Sequence, residues 1–151
     1  MRKSFAVVLI VLASGLSSSE TVYEYAARLS GLDKKEWRGI AITESRERDN
    51  AIGDDGHSIG RFQVNELFHA YYAWKYGEYD PTKPFDNARI SGLNYRDNLY
   101  HFGIVEGVCD PDTWRTRRRD MAIAAHNQGL KGVKKNGVGY KYVISVRRNA
   151  R

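Results

Sequence analysis

Glu44 carries a carboxylate to a position where a packing residue belongs. Ala41, Ile40 and Trp37 stand three, four and seven residues before it, the spacing that stacks side chains on one face of a helix. The start of that helix is marked by Asp33 as cap, Glu36 three positions on to answer it, and Leu32 with Trp37 as a flanking hydrophobic staple. The phase of the stripe is thereby set, and Glu44 falls on its inward side at the helix end, where a polar loop begins. Burial disfavours the charged form of a carboxylic acid, so an acid held there is expected to keep its proton near neutral pH, as a general acid must. The competing reading is an ion pair with Arg46, Arg48 or Arg61, which would make Glu44 a structural charge.

Four separated segments carry groups able to work together: Glu44-Ser45, Gly60-Arg61-Phe62-Gln63, Ala125-His126-Asn127-Gln128-Gly129 and Tyr142-Val143. Gln63 and Asn127 each offer a paired donor and acceptor, which serves a polar ligand or anchors a loop equally well. The stretch from Asp49 to Ser58 holds Gly53 and Gly56, whose backbone freedom lets the chain approach a ligand closely. Cys109 precedes the Asp110-Pro111 turn without a His or Asn pattern beside it, and reads as a small, partly buried residue. His57, His69, His101 and His126 lack ligand spacing with Cys or carboxylates, so no metal and no other cofactor is expected.

Helices must position these groups. The capping and periodicity signals predict a helix from about Thr21 to Leu29 closed by Gly31, and the Glu44 helix from Asp33 to about Arg46. An aromatic helix from about Asn65 to Tyr76 follows. Asp86 is expected to cap a helix reaching Phe102, with Ile90, Leu93, Asn94 and Asp97 at helical spacing and Gly103 as its stop. A helix from Thr113 to about Gln128 ends at Gly129, and Gly132 to Gly139 turns the chain into a last helix from Tyr140 to about Arg148. Arg117-Arg118-Arg119 lies inside a helical pattern without interleaved aromatics and reads as a solvated face, not a nucleic-acid contact. Strand patterning is poor outside short pieces of 52–64, so the expected class is mainly α.

The 151 residues suit one domain. Residues 1–19 read as a secretory signal, cleaved between about 15 and 20: Arg2 and Lys3, an apolar run from Phe5 to Ala13, then small residues to Ser19. That run is too short to anchor the mature chain in a bilayer, which makes 20–151 an exported domain, periplasmic or extracellular. Cys109 is the lone cysteine, so no intramolecular disulfide can form and stability must come from packing. Loss of Arg2 and Lys3 lowers the formal charge from +6 to +4, an excess that suits an anionic wall or headgroup surface and plain solubility alike.

In their order and separations, the four segments resemble the soluble lytic transglycosylase domain, a branch of the lysozyme-like fold that cleaves peptidoglycan. The resemblance covers roughly residues 22–148. Arg61 and Phe62 stand where that family has Leu-Met, and His126 where it has Tyr, while Asn87, Ile90, Gly92 and Tyr95 are similar to its supporting helix. It implies a lysozyme-like helical domain with at most a small β element in the 52–64 loop. It also implies Glu44 as sole acid/base in a cleavage of the bond between N-acetylmuramic acid and N-acetylglucosamine. The substrate's acetamido group assists, a known exception to the two-carboxylate rule, and a 1,6-anhydro sugar is left.

By the same resemblance, Gln63 and Asn127 meet acetamido groups and hydroxyls, Tyr142 orients Glu44, Ser45 supports the helix end or the muramyl side, and His126 packs or touches substrate. The aromatic set Phe68, Tyr71, Tyr72, Trp74 and Tyr76 is chiefly packing, with one or two members exposed to stack on sugar rings. Peptidoglycan strands are the expected partner, and any envelope machinery joined to them is left open. Goose-type lysozymes are also similar: their loop has an Asp nine residues ahead of the glutamine, matched by Asp54, which could position water for hydrolysis. Asn65 stands at their second acidic position. A third expectation is a wall-binding module that keeps the fold without turnover.

Overall fold

The computed structural model describes residues 19–105 and 111–151, with side chains described for 19–102 and 117–151. The expected signal segment up to residue 18 and Cys109 lie outside the described residues.

Each helix end has a local cause. In α1 (Val22–Ser30) the Thr21 hydroxyl accepts from the Glu24 amide, and the Glu24 carboxylate accepts from the Thr21 amide at 3.0 Å, a reciprocal capping box. The Thr21 backbone hydrogen bond, then Lys34, hold the Glu24 carboxyl down at about 2. The box expected at α2 (Lys34–Ser45) is half present: Asp33 caps through the Lys35 amide at 2.8 Å, but Glu36 reaches away to Arg119. Leu32 and Trp37 are both buried, as a staple requires.

The middle of the chain corrects several boundaries. Ile52–Gly53 (β1), Ser58–Ile59 (β2) and Val64–Asn65 (β3) form an antiparallel sheet in that order, with Ile52 opposite Ile59 and Ser58 opposite Asn65. Asn65 caps a single 3-10 turn by accepting from the Leu67 amide, so α3 spans only His69–Tyr76. α4 (Pro84–Val105) begins two residues before Asp86 and runs through Gly103. Proline suits the first helical turn, where its missing N–H costs nothing, and the Asp86 carboxylate instead accepts from the Asp80 amide at 3.0 Å.

α5 (Pro111–Asn136) bends at Gly129, with φ 70° and ψ 166°, and resumes as helix beyond it. Gly129 therefore turns the helix without ending it. The arginine run is not a simple solvated face: Arg118 donates to the Leu99 carbonyl and Arg119 pairs with Glu36, tying α5 to α4 and α2. α6 (Tyr140–Asn149) closes the domain.

The core centres on Trp37, fully buried and edge-on to Phe62, Tyr95 and His126, with ring centroids 5.2, 5.8 and 6.0 Å away. Truncating a buried indole in such a setting costs about 3–5 kcal/mol. Two glycines permit the tightest helix crossings: a Cβ on Gly39 would meet the Val146 carbonyl at 2.2 Å, and one on Gly92 the Ala26 carbonyl at 3.1 Å. The first draws α6 onto α2 and so brings Tyr142 toward Glu44. A smaller cluster of Val64, Tyr79 and Ile90, flanked by Tyr72 and Tyr76, seats α3. The molecule is thus a mainly helical domain with a small three-stranded sheet.

Candidate functional site

α2 stops at Ser45 because Arg46 and Glu47 both take left-handed backbone, with φ of 57° and 61°. Such conformations cost on the order of 1 kcal/mol each for residues with a Cβ. The turn leaves Glu44 in the last helical turn, half-buried. Tyr142 of α6 donates its phenol proton to Glu44 Oε1 in a short hydrogen bond that joins positions 98 residues apart. Burial, and then the neighbouring Glu44 carboxylate, push the Tyr142 phenol well above its ordinary value, so the phenol stays a donor. Among the described residues Glu44 has no cation at ion-pairing distance. Arg61 grips Asp49 through both Nε and Nη2 at 2.8 and 2.9 Å, and Arg48 Nε donates to the Ser45 carbonyl.

The Gly60–Gln63 segment is fastened to this helix end from several sides. Ser45 Oγ is buried, 2.8 Å from the Arg61 carbonyl and 3.1 Å from the Ala41 carbonyl. It also accepts from the Arg48 amide. Asn87, 1% exposed, accepts from the Phe62 amide and donates to the Ile59 and Pro81 carbonyls. Gly60 has φ 81°, and a Cβ there would lie 2.5 Å from Asn87 Nδ2, so both backbone and space demand glycine. Arg61 also donates to the Tyr23 hydroxyl, which donates in turn to Glu47. Burial first, and Glu47 next, raise the Tyr23 phenol to about 12.

The expected site residues divide by what their polar atoms do. Glu44 and Tyr142 meet directly, Ser45 holds the Arg61 carbonyl, and His126 Nε2 lies 3.0 Å from the Phe62 carbonyl with its ring edge-on to Trp37. His126 is therefore anchored and packed, and it also lines the cavity between α3, α4 and α5. Gln63 sits at φ 51° and spends its Nε2 on the Gly60 and Ala51 carbonyls, at 2.8 and 3.4 Å. Of its two expected uses it takes the loop-anchoring one. Asp54 accepts from the Ser58 hydroxyl at 2.5 Å and bends back into the sheet. Asn127 is exposed on the wall of the same cavity.

That cavity, about 1050 Å³, opens between α3, α4 and α5. Its wall has the amides of Asn65, Asn94, Asn98, Asn127 and Gln128 and the rings of Phe68, Tyr71, Tyr72 and Tyr100. Glu44, Gln63 and Tyr142 are not in the wall. Gln128, which lines the cavity, donates to the Gly137 carbonyl at 3.0 Å, and the Gly139 carbonyl of the same turn accepts from the Tyr142 amide. One ion pair borders the space, Lys75 to Asp97 at 2.7 Å. Burial works against ionising Asp97, but hydrogen bonds from Lys75 and Tyr76 outweigh it and lower its pKa. The spacing of Asn94, Asp97, Asn98 and His101 on one face of α4 was the available sequence signal for this wall.

Comparisons with known protein families and with curated proteins give no match to this chain. The structure defines a mainly helical domain in which a carboxylate pairs with a phenol, and a cavity walled by amides and aromatic rings that has neither of the two in its lining.

Proposed function

We propose that this chain is an exported peptidoglycan lytic transglycosylase of the lysozyme-like fold, with Glu44 as its single acid and base. The observation that carries the reading is the Tyr142 hydroxyl bonded to Glu44 Oε1. A phenol held as a donor orients one carboxyl oxygen and leaves the other for substrate, whereas a guanidinium partner would occupy both oxygens with a fixed charge. The amide and aromatic wall supports a hydroxyl-rich, N-acetylated ligand, because its polar groups are mostly uncharged, two of its charges, Lys75 and Asp97, pair with each other, and Lys131 adds a single cation.

In this scheme protonated Glu44 gives its proton to the glycosidic oxygen as the carbon–oxygen bond breaks. The acetamido oxygen of the muramyl unit supports the anomeric carbon. Glu44, now a carboxylate, takes the proton of the muramyl 6-hydroxyl while that oxygen closes onto the anomeric carbon. The proton balance returns to its start and no water is consumed. Tyr142 donates throughout, which steadies the carboxylate that forms between the two steps. Among the described residues no helix is long and apolar enough to cross a membrane, in keeping with action on a wall polymer from outside the bilayer.

Release of soluble fragments from purified sacculi by the wild type and Asp54→Asn tests this reading. The lyase reading expects the variant to keep the wild-type rate within about threefold, since Asp54 is tied to Ser58. A collapse of turnover would move the assignment to hydrolysis with water held by Asp54. No release by either protein would leave a wall-binding module.

A further inference from the structure

Beyond the cavity, α3 turns an aromatic face to solvent that the fold does not use. Trp74 is 81% exposed and Tyr71 46%, and their rings stand 6.2 Å apart, tilted by 39°. The other aromatic positions of this helix do the packing: Tyr72 and Tyr76 lie against the Val64, Tyr79 and Ile90 cluster. Tyr71 belongs to both surroundings, because it lines the cavity while pairing with Trp74 outside it. Its hydroxyl accepts from Lys75 Nζ at 3.0 Å, and the same ammonium lies 5.4 Å from the Tyr71 ring centre. The ring is therefore held in place, so stacking on it would cost little further ordering.

We infer that Trp74 and Tyr71 form an outlying saccharide-stacking subsite, which grips a stretch of the glycan strand that has left the cavity. This rests on the reading of the cavity as a glycan site, and extends it past the cavity wall. Continuity argues for the occupant, since one ring is shared between wall and platform. Charge argues for it as well. A patch built for anionic lipid would present free cations beside its aromatics, but Lys75 is spent on Asp97 and Tyr71, and Glu66 and Asp97 flank the helix. The helix itself offers no unpaired ammonium, and the remaining cation of the shared cavity among the described residues, Lys131, lies on α5. A flat aromatic pair so placed suits the apolar faces of pyranose rings better than a lipid headgroup layer.

The test compares pelleting with purified sacculi, in the non-cleaving Glu44→Gln background, for the parent, Trp74→Ala and Trp74→Phe. Binding to vesicles of anionic phospholipid and to N-acetylglucosamine trimer is measured in parallel. Trp74 is too exposed for its loss to disturb the core, and melting curves check this. The subsite predicts that Trp74→Ala weakens binding to sacculi about fivefold, the loss of one aromatic contact, and that Trp74→Phe restores most of it. Affinity for the trimer, which fills the cavity alone, stays unchanged. Equal binding to sacculi by parent and Trp74→Ala, or failure of both to bind, overturns the subsite. A Trp74-dependent affinity for vesicles and not for sacculi also overturns it, and makes the face a membrane contact. The cavity reading fails separately, if the trimer does not bind or wild-type protein carrying Glu44 releases nothing from sacculi.

Discussion

The two ends of α2 each present a glutamate to α5 or α6, and they are treated in opposite ways. Glu36, in the first turn, meets the Arg119 guanidinium of α5, a pair 83 residues apart in sequence. Close by, Asp120 pairs with Arg147. Glu44, in the last turn, meets the Tyr142 phenol and, among the described residues, no cation. The first end matches charge with charge, which fastens helices. The second supplies a hydrogen bond from a neutral phenol and no compensating charge among the described residues. The backbone follows the same division, because the left-handed residues Arg46, Glu47, Asp54, Asp55 and Gln63 all lie on the Glu44 side, where strain is tolerated in exchange for geometry.

Substitutions at the two ends should separate function from stability. Glu44→Gln is expected to lower sacculus cleavage by about a thousandfold with an unchanged melting curve. Tyr142→Phe removes the orienting hydrogen bond and should lower turnover about ten- to hundredfold, while circular dichroism stays native. Glu36→Gln should leave turnover intact and cost about 1–2 kcal/mol in urea unfolding, since Arg119 is only partly withdrawn from solvent. An equal loss of turnover in Glu36→Gln would erase the distinction between the ends.

The smallest effect is expected at Asp120. Burial is the main influence on its carboxyl, and the pKa is raised in spite of Arg147. A raised acid adds stability that is complete below the ordinary carboxylate range and is lost as pH rises through the folded value. Asp120→Asn should therefore be neutral to stabilising by about 1 kcal/mol at pH 7, and the difference should vanish as the pH falls below 4. A marked loss of stability at pH 7 would mean that the Arg147 pair more than offsets its desolvation.

Local signals were legible in the sequence, and distant partners were not. The periodicity of α2 put Trp37, Ile40 and Ala41 in the core, where they are buried, and Glu44 on the same inward stripe, where it is only half-buried because the helix ends beside it; Asp33, Gly31 and the 52–64 pieces fell where caps and short strands formed. Glu36 was misread as half of a capping box and Arg119 as solvated, because each looks ordinary until its distant partner is known. Gln63 had two equivalent local readings, and only the position of the Ala51 and Gly60 carbonyls decides between them. Gly129 bends α5 instead of stopping it because the residues beyond resume the helix and bury Val133. Of the aromatic set, three members are exposed where one or two were expected: Phe68, Tyr71 and Trp74.

Mass spectrometry of fragments released from sacculi by wild type and Glu44→Gln, digested side by side, tests the central claim most directly. The account predicts fragments ending in 1,6-anhydro-N-acetylmuramic acid from the wild type and essentially none from the variant. Fragments with ordinary reducing ends, or the same yield from both proteins, would contradict it.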